Sequence, residues 1–453
     1  MKPESPKNNK IDKFKNQFKP QNTVTFKKKK KMDKKNIVQI QLLIKSLFQE
    51  GELDPRELED INTSSQIKSS IMSQVEIMFD TPKDKLLRDD YEKCVEKYLQ
   101  RCIRVKPPKY SAKEIKLIED KIKFLKTIPQ PEQRTPEWYT FRNNRLTASD
   151  LGTIIGVNPY ENYNKIIQKK CGFEAPFYMN KHIKRGVKYE EVITNIYEFR
   201  NNVKVFEYGC IPHPTIGHFG ASPDGIVDSG SENKQYIGRM LEIKCPGSRP
   251  ITGFCPEYYY AQVQGQLEVC DLELCDFVEC KIADYDSKTE YFDDFYLLSD
   301  GSVDYHYNKS GFEKGIVIEA YDMNKGKEKY YYGKLGMNYQ EAYLWEHDII
   351  ENTIFTDNNL EYLTTTYWCA TEYNELLIQR EKEWFYRKCI PLINKFWEDV
   401  LHYRTQPMED IKALVKTAKK KEEPPKIDTF VTTNKPTNPH FLSDSSDNDS
   451  DDD

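Results

Sequence analysis

Residues 240–246, "MLEIKCP", set a glutamate and a lysine two positions apart inside a short apolar segment. Side chains alternate along a β-strand, so Leu241, Ile243 and Cys245 share one face while Glu242 and Lys244 stand together on the other. Pro246 cannot donate to a sheet ladder and ends the strand. A lone E-x-K is most often a weak ion pair on a solvated face. It becomes chemistry when further acids are brought to the same point.

Two segments can bring them. "FGASPDGIVD", residues 219–228, reads as a tight turn at Pro223-Asp224-Gly225 between two short strands, with Gly225 available for positive φ. "KHIKRGVKYEEVITNIYEF" reads as a helix on which Ile183, Val187, Ile193 and Tyr197 fall within about 60° of Glu190. Glu190 is thus a carboxylate in an apolar arc, costly to bury without a partner. Glu191 falls on the polar side with Lys184 and Glu198. Downstream, "YYYAQVQGQLEV" reads as a helix with Tyr258, Gln262 and Gln266 in one i, i+4 row.

The order is therefore helix acid, turn acid, strand E-x-K, helix glutamine. Three carboxylates at one point repel by a few kcal/mol per pair at an effective dielectric of about 20. A divalent cation removes that cost, and hard oxygen ligands suit Mg²⁺ or Mn²⁺. Such a metal holds a phosphate oxygen and acidifies a bound water, while Lys244 orients the water or offsets developing charge. That is the chemistry of phosphodiester hydrolysis.

The elements that must position these groups lie in the middle of a 453-residue chain, long enough for two or three folding units. Residues 1–36 hold 13 lysines against Glu4, Asp12 and Asp33, and are expected to be a disordered basic tail. The run "KKKKKMDKK" reads equally as a DNA-contacting arm or a nuclear-import signal. Residues 37–128 show apolar spacing of three and four and are expected to form a helical domain. "IPQPEQRTP" is a linker. Residues 129–405 form the catalytic domain, with an aromatic-rich helical section over 330–404, and residues 406–453 a disordered tail ending in "FLSDSSDNDSDDD". The net charge of −5 hides this asymmetry: with both tails set aside the body is acidic, unlike a generic nucleic-acid binder. No apolar run spans a bilayer and no secretory signal is visible, so an intracellular, non-secreted protein is expected, with no membrane partner. The eleven cysteines include no C-x-x-C pair, and the spacing of Cys270, Cys275 and Cys280 suits neither a zinc ribbon nor an iron–sulfur site. They read as buried thiols in a reducing compartment.

"SPDG…LEIKCP…YYAQVQGQL" resembles the PD-(D/E)XK nucleases, specifically the lambda-type exonuclease or YqaJ-like viral recombinase branch. "PEWYTFRNNRLTASDLGTIIG", residues 136–156, is similar to that branch's N-terminal motif, and the likeness runs from about Glu137 to Tyr285. The resemblance implies an α/β, restriction-endonuclease-like core: a mixed central sheet flanked by helices, with helical N- and C-terminal additions. It implies that Asp224, Glu242 and Lys244 are the catalytic core, joined by the helix residues Glu190 and Gln262. The metal would be Mg²⁺ (or Mn²⁺), held by Asp224, Glu242, Glu190 and the Ile243 carbonyl. Arg142 and Ser149 match positions that grip the 5′-phosphate of a DNA end, a role suited to a bidentate guanidinium and a hydroxyl. Ser149 also reads as the N-cap of "DLGTIIG". Some relatives carry a second acid ten residues before the catalytic aspartate; here that position is Pro214.

The implied function is a Mg²⁺-dependent 5′→3′ exonuclease on double-stranded DNA ends, acting in viral DNA recombination, repair or replication. Its implied partners are DNA ends, a single-strand annealing protein and two further copies in a ring-shaped homotrimer. The alternatives are a DNA endonuclease or RNA-degrading enzyme of the alkaline-nuclease type, and an inactive nuclease fold kept as a DNA-binding scaffold. The Lys/Asn-rich composition suits the AT-rich genome of a large DNA virus, and the host cytoplasm (virus factory) or nucleus is the expected compartment.

Overall fold

The computed structural model describes residues 34–49, 61–79, 85–102, 107–131, 133, 135–173 and 181–417. The expected tails at 1–33 and 418–453 lie outside the described residues.

Three helices open the described chain: α1 (Lys34–Gln49), α2 (Ile61–Met78) and α3 (Lys85–Cys102). Ile40, Ile44 and Leu47 of α1 meet Ile67, Ile71 and Val75 of α2 and Tyr91, Val95 and Tyr98 of α3 in a core of their own. Three- and four-residue spacing puts those side chains on one face of each helix. Phe254 joins this core from a distant loop, its ring 5.1 Å from that of Tyr98. Lys45 Nζ donates to the Ile251 carbonyl at 2.7 Å and pairs with Glu372 at 3.0 Å. The bundle is thereby fastened to the rest of the molecule.

Two boundaries differ from expectation. The first helix starts at Lys34, inside the basic tail drawn to residue 36. The fourth helix, α4 (Ala112–Thr127), is not part of the bundle: Ile122 and Leu125 insert into the sheet core, so the helical unit expected over 37–128 is split. The capping box of Ser111 and Glu114 starts α4 cleanly after a loop, which frees it to pack elsewhere.

The remainder runs α5 (Pro136–Asn143), β1 (Leu146–Thr147), α6 (Leu151–Ile154), α7 (Tyr163–Lys170), α8 (Lys181–Asn201), β2 (Val205–Phe206), β3 (Ile211–Pro212), β4 (Phe219–Ala221), β5 (Gly225–Val227), β6 (Met240–Lys244), α9 (Glu257–Cys270) and β7 (Leu274–Asp284). Then follow α10 (Lys288–Asp293), β8 (Tyr296–Leu297), β9 (Val303–Asp304), β10 (Lys314–Asp322), β11 (Lys327–Tyr332), α11 (Tyr339–His347), β12 (Leu360–Gln379), α12 (Lys382–Trp384), α13 (Ile390–Arg404) and α14 (Met408–Thr417).

Among the described residues, seven strands form a mixed sheet in the order β11-β10-β12-β7-β6-β5-β2. β6 and β7 are parallel, linked through α9 as a crossover, and the other pairings are antiparallel. α8 covers one face: Tyr189, Val192, Ile193 and Ile196 pack on Leu241, Ile243 and Val278. α9 covers the other, with Tyr260, Val263 and Leu267 against Met240 and Phe277. β6 is sandwiched between them. This is the mixed sheet flanked by helices, with helical additions at both ends.

The section expected to be helical over 330–404 is broken by β12, a 20-residue strand. Thr364, Thr365 and Thr366 are β-branched, and β12 pairs along β10 on one side and β7 on the other. Its second half, "TEYNELLIQ", has helix-compatible residues, and the sheet edge offered by β7 overrides them. The tail drawn from residue 406 also starts late, because α14 docks on α7 through Gln168 Nε2, which donates to the Ile411 carbonyl at 2.7 Å. No described helix is long and apolar enough to cross a membrane. The ten cysteines whose side chains are described are free thiols.

Candidate active site

Asp224 lies where the chain passes from a small sheet, β1-β4-β3, to the large one. The Pro223-Asp224 turn is therefore a crossing between sheets rather than a hairpin. Gly225 does not take the positive φ expected of it. Its requirement is space, since a Cβ there would stand 2.2 Å from Val205 Cγ1. On leaving the turn, Asp224 Oδ2 accepts the Ile243 backbone N–H at 2.7 Å. That bond pins the turn acid to the middle of β6.

Glu242 and Lys244 do share a face, but not a solvated one: α9 covers it and Glu242 is fully buried. The Lys244 ammonium is bonded to Glu242 Oε1. Gln262 Nε2 donates to the same oxygen at 2.6 Å, and Gln266 Nε2 to Oε2 at 2.7 Å. The glutamine row on α9 thus serves both oxygens of the strand glutamate. Burial opposes the charge on Lys244, yet the Glu242 and Asp224 carboxylates hold its ammonium above the usual lysine range. Asp224 moves the other way for an acid: burial first, then Glu242 and Glu190, raise it well above the carboxylate range against the pull of Lys244.

A cleft of about 480 Å³ opens at this end of β6. Glu190, Asp224, Ile243 and Lys244 line it, together with Arg185 and Arg249. Glu190 is half-buried at the cleft wall rather than sunk in the core, and Glu191 is exposed, as the helix geometry requires. Tyr259 backs the site, its ring 4.9 Å from Lys244 Nζ. Among the described residues no three His, Cys, Asp or Glu converge at metal-holding spacing. The oxygens of Glu242 are instead turned to Lys244, Gln262 and Gln266. In kind, the donor set fits a hard divalent cation. Asp224 is raised by two neighbouring carboxylates, the excess negative charge such an ion would neutralise. Pro214 is exposed in the β3–β4 turn and contributes no further acid.

Arg142 and Ser149 meet beside this cluster. Arg142 Nη2 donates to Ser149 Oγ at 3.0 Å and to Thr147 Oγ1 at 3.4 Å, and Nη1 donates to Ser222 Oγ at 3.3 Å. Its guanidinium lies 4.3 Å above the Trp138 ring. Ser149 belongs to a single 3₁₀ turn, Ala148–Asp150, and does not cap α6, whose N-cap is Asp150 with no side-chain cap bond. The turn is held from below by Asp150, which accepts from Thr147 at 2.9 Å and pairs with buried Lys170 at 3.0 Å. Burial disfavours both charges: it outweighs the pairing at Lys170, held below the usual lysine range, while Lys170, Lys169 and Arg142 together hold Asp150 low. The turn can approach α9 because residue 152 is glycine. A Cβ there would lie 2.6 Å from Tyr258 Cβ.

Gln266, Ser222 and Thr147 were not among the residues expected to act. Gln266 was visible as the second member of an i, i+4 glutamine row following E-x-K; Ser222 and Thr147 carry no signal beyond adjacency to matched positions.

Residues 137–273 match the model of the YqaJ-like viral recombinase domain. A protein of Acanthamoeba polyphaga mimivirus is 36% identical over 68% of this chain and 60% of its own length. A protein of African swine fever virus is 27% identical over 30% of this chain and 46% of its own. The chain thus spans about half to three-fifths of the length of these relatives. Among solved structures, an alkaline exonuclease of Laribacter hongkongensis aligns at a TM-score of 0.32 and 19% identity, over 63% of this chain and 99% of that one. Every cleft and pocket residue expected from the motifs, from Arg142 to Gln262, falls inside the matched stretch. Residues 137–273, the stretch that holds these side chains, are therefore similar to the YqaJ-like viral recombinase domain.

Proposed function

We propose that this protein is a Mg²⁺-dependent nuclease that hydrolyses phosphodiester bonds at the ends of double-stranded DNA, removing nucleotides 5′→3′ during viral DNA recombination, repair or replication. The observation that carries the reading is that Glu190, Asp224 and Lys244 line one cleft, with Glu242 buried behind them on Lys244 and the Arg142–Ser149 pair beside it. The viral recombinase domain supports the recombination setting. A single-strand annealing protein and a ring of three copies belong to the same reading.

Asp224, Glu242, Glu190 and the Ile243 carbonyl would hold the metal. When bound, it would supply a polarised phosphoryl oxygen and an acidified water. Gln262 and Gln266 each donate to one oxygen of Glu242, which fixes where its carboxylate stands. Lys244, kept positive by its two acids, can orient the attacking water and offset charge on the phosphorane-like transition state. Arg142, with Ser149 and Thr147 beside it, can bind a terminal phosphate by charge-assisted bonds, which fixes the strand and end that enter.

Time courses on linear duplexes with a 5′-phosphate or a 5′-hydroxyl, labelled at either end, test this. Faster loss of the phosphorylated duplex from its 5′ end is expected. Digestion from the 3′ end, equal rates on both duplexes, or cutting of closed circular DNA would overturn the end-reading assignment and favour an endonuclease.

A further inference from the structure

Gln266 is 1% exposed and joins two parts of the site that otherwise have separate supports. Its Nε2 donates to Glu242 Oε2 at 2.7 Å and to the Ser222 carbonyl at 3.2 Å. Ser222 in turn accepts from Arg142 Nη1 through its hydroxyl at 3.3 Å. The amide orientation is forced, because the flipped form would set an acceptor against a carboxylate and a carbonyl. Its Oε1 is left buried without a hydrogen-bond partner. An apolar side chain would fill this place without stranding that oxygen, as Val263 and Leu267 do nearby on α9. The amide's distinctive contribution is the pair of bonds it makes.

We propose that Gln266 is a positioning residue that couples the cleavage site to the end-gripping pocket, by tying Glu242 to Ser222 and so to Arg142. This rests on the nuclease reading above. Phosphate bound at Arg142 pulls on Ser222, and Gln266 passes that constraint to the carboxylate of Glu242. Gln262 is the internal comparison: it donates to the other oxygen of the same glutamate at 2.6 Å from one turn earlier, and makes no bond to Ser222.

The experiment measures initial rates on 5′-phosphorylated and 5′-hydroxyl duplex for wild type, Gln266→Met, Gln262→Met and Ser222→Ala, each also combined with Arg142→Ala. Gln262→Met should slow both substrates alike and keep their ratio. Gln266→Met should slow both and also cut the ratio about fivefold, with no further cut in the Arg142→Ala background. Ser222→Ala, which leaves Glu242's bonds intact, should cut the ratio, and it carries the test if Gln266→Met does not fold. A wild-type ratio in both Gln266→Met and Ser222→Ala, or ratio losses that multiply with that of Arg142→Ala, overturns the coupling alone. A wild type with no 5′-phosphate preference overturns the coupling and the end-reading assignment together.

Discussion

Asp224 Oδ2 accepts the backbone N–H of Ile243 at 2.7 Å, and this bond sets an acid from an inter-sheet turn beside an acid and a lysine on a central strand. It connects residues 19 positions apart in the chain. Asp224 is held there although burial, Glu242 and Glu190 all oppose its charge.

Asp224→Asn should therefore raise Tm at neutral pH, since it removes an opposed charge and can keep the bond to Ile243 through its amide oxygen. A raised carboxyl binds its proton more tightly folded than unfolded, so wild-type stability is lost as pH climbs from the ordinary aspartate value toward the raised one. Thermal melts with and without MgCl₂ check both points. Mg²⁺ should stabilise wild type and leave the asparagine variant unmoved. An unchanged or lower Tm in Asp224→Asn would mean that the charge is well compensated.

Glu190 and Glu191 are neighbours in the chain with opposite surroundings, one on the cleft wall and one exposed. Glu190→Gln should weaken Mg²⁺ activation, read as a higher half-activating concentration, and Glu191→Gln should leave it alone. Equal effects would put the wrong face of α8 at the site.

Arg142 makes three side-chain bonds within its pocket, whereas Ser149 offers one hydroxyl. Arg142→Ala should lose most of the preference for a 5′-phosphate and fall far less on 5′-hydroxyl duplex. Ser149→Ala should show a smaller loss, with little change in Tm, because the hydroxyl caps no helix. Competition assays with the two duplexes read the preference directly.

Glu268 anchors the far end of α9. Arg380 Nε and Nη2 reach its Oε2 at 3.0 and 2.7 Å, fastening the helix to the end of β12. Burial works against the carboxylate, but His213, Arg380 and Tyr386 bring it down to about 2 from 4.5. A depressed acid adds stability above its unfolded pKa and loses it as pH falls toward the folded one. That part of the stability should thus disappear as pH falls from about 4.5 toward 2. Arg380→Met should cost roughly 3–5 kcal/mol at neutral pH by stranding the buried charge. Urea melts across pH would show it, and an unchanged acid limb in Glu268→Gln would contradict it.

The local parts of this site were legible in the sequence because strand alternation and helix rows are properties of a few consecutive residues. Glu242 beside Lys244, Glu190 apart from Glu191, and the Tyr258–Gln262–Gln266 row all appear in the structure as the periodicities require. What those periodicities cannot carry is which element covers a face. That α9 would close over the E-x-K face could not be read from the strand, and Ser222 had no meaning until Arg142 folded back across 80 residues. β12 was hidden for a related reason: its second half has the composition of a helix, and only its pairing with β7 makes it a strand. α4 is a well-capped helix whose sequence says nothing of which core it joins.

The central claim, that this cleft hydrolyses DNA through carboxylate-held metal, is tested most directly by nucleotide release from 5′-phosphorylated duplex. Wild type and the single variants Asp224→Asn, Glu242→Gln and Lys244→Ala would be compared in MgCl₂ and in EDTA. Release by wild type in MgCl₂ alone, with each variant at background while still showing a cooperative melt, is the predicted result. Release in EDTA, or a wild-type rate in any one of the three variants, would contradict it.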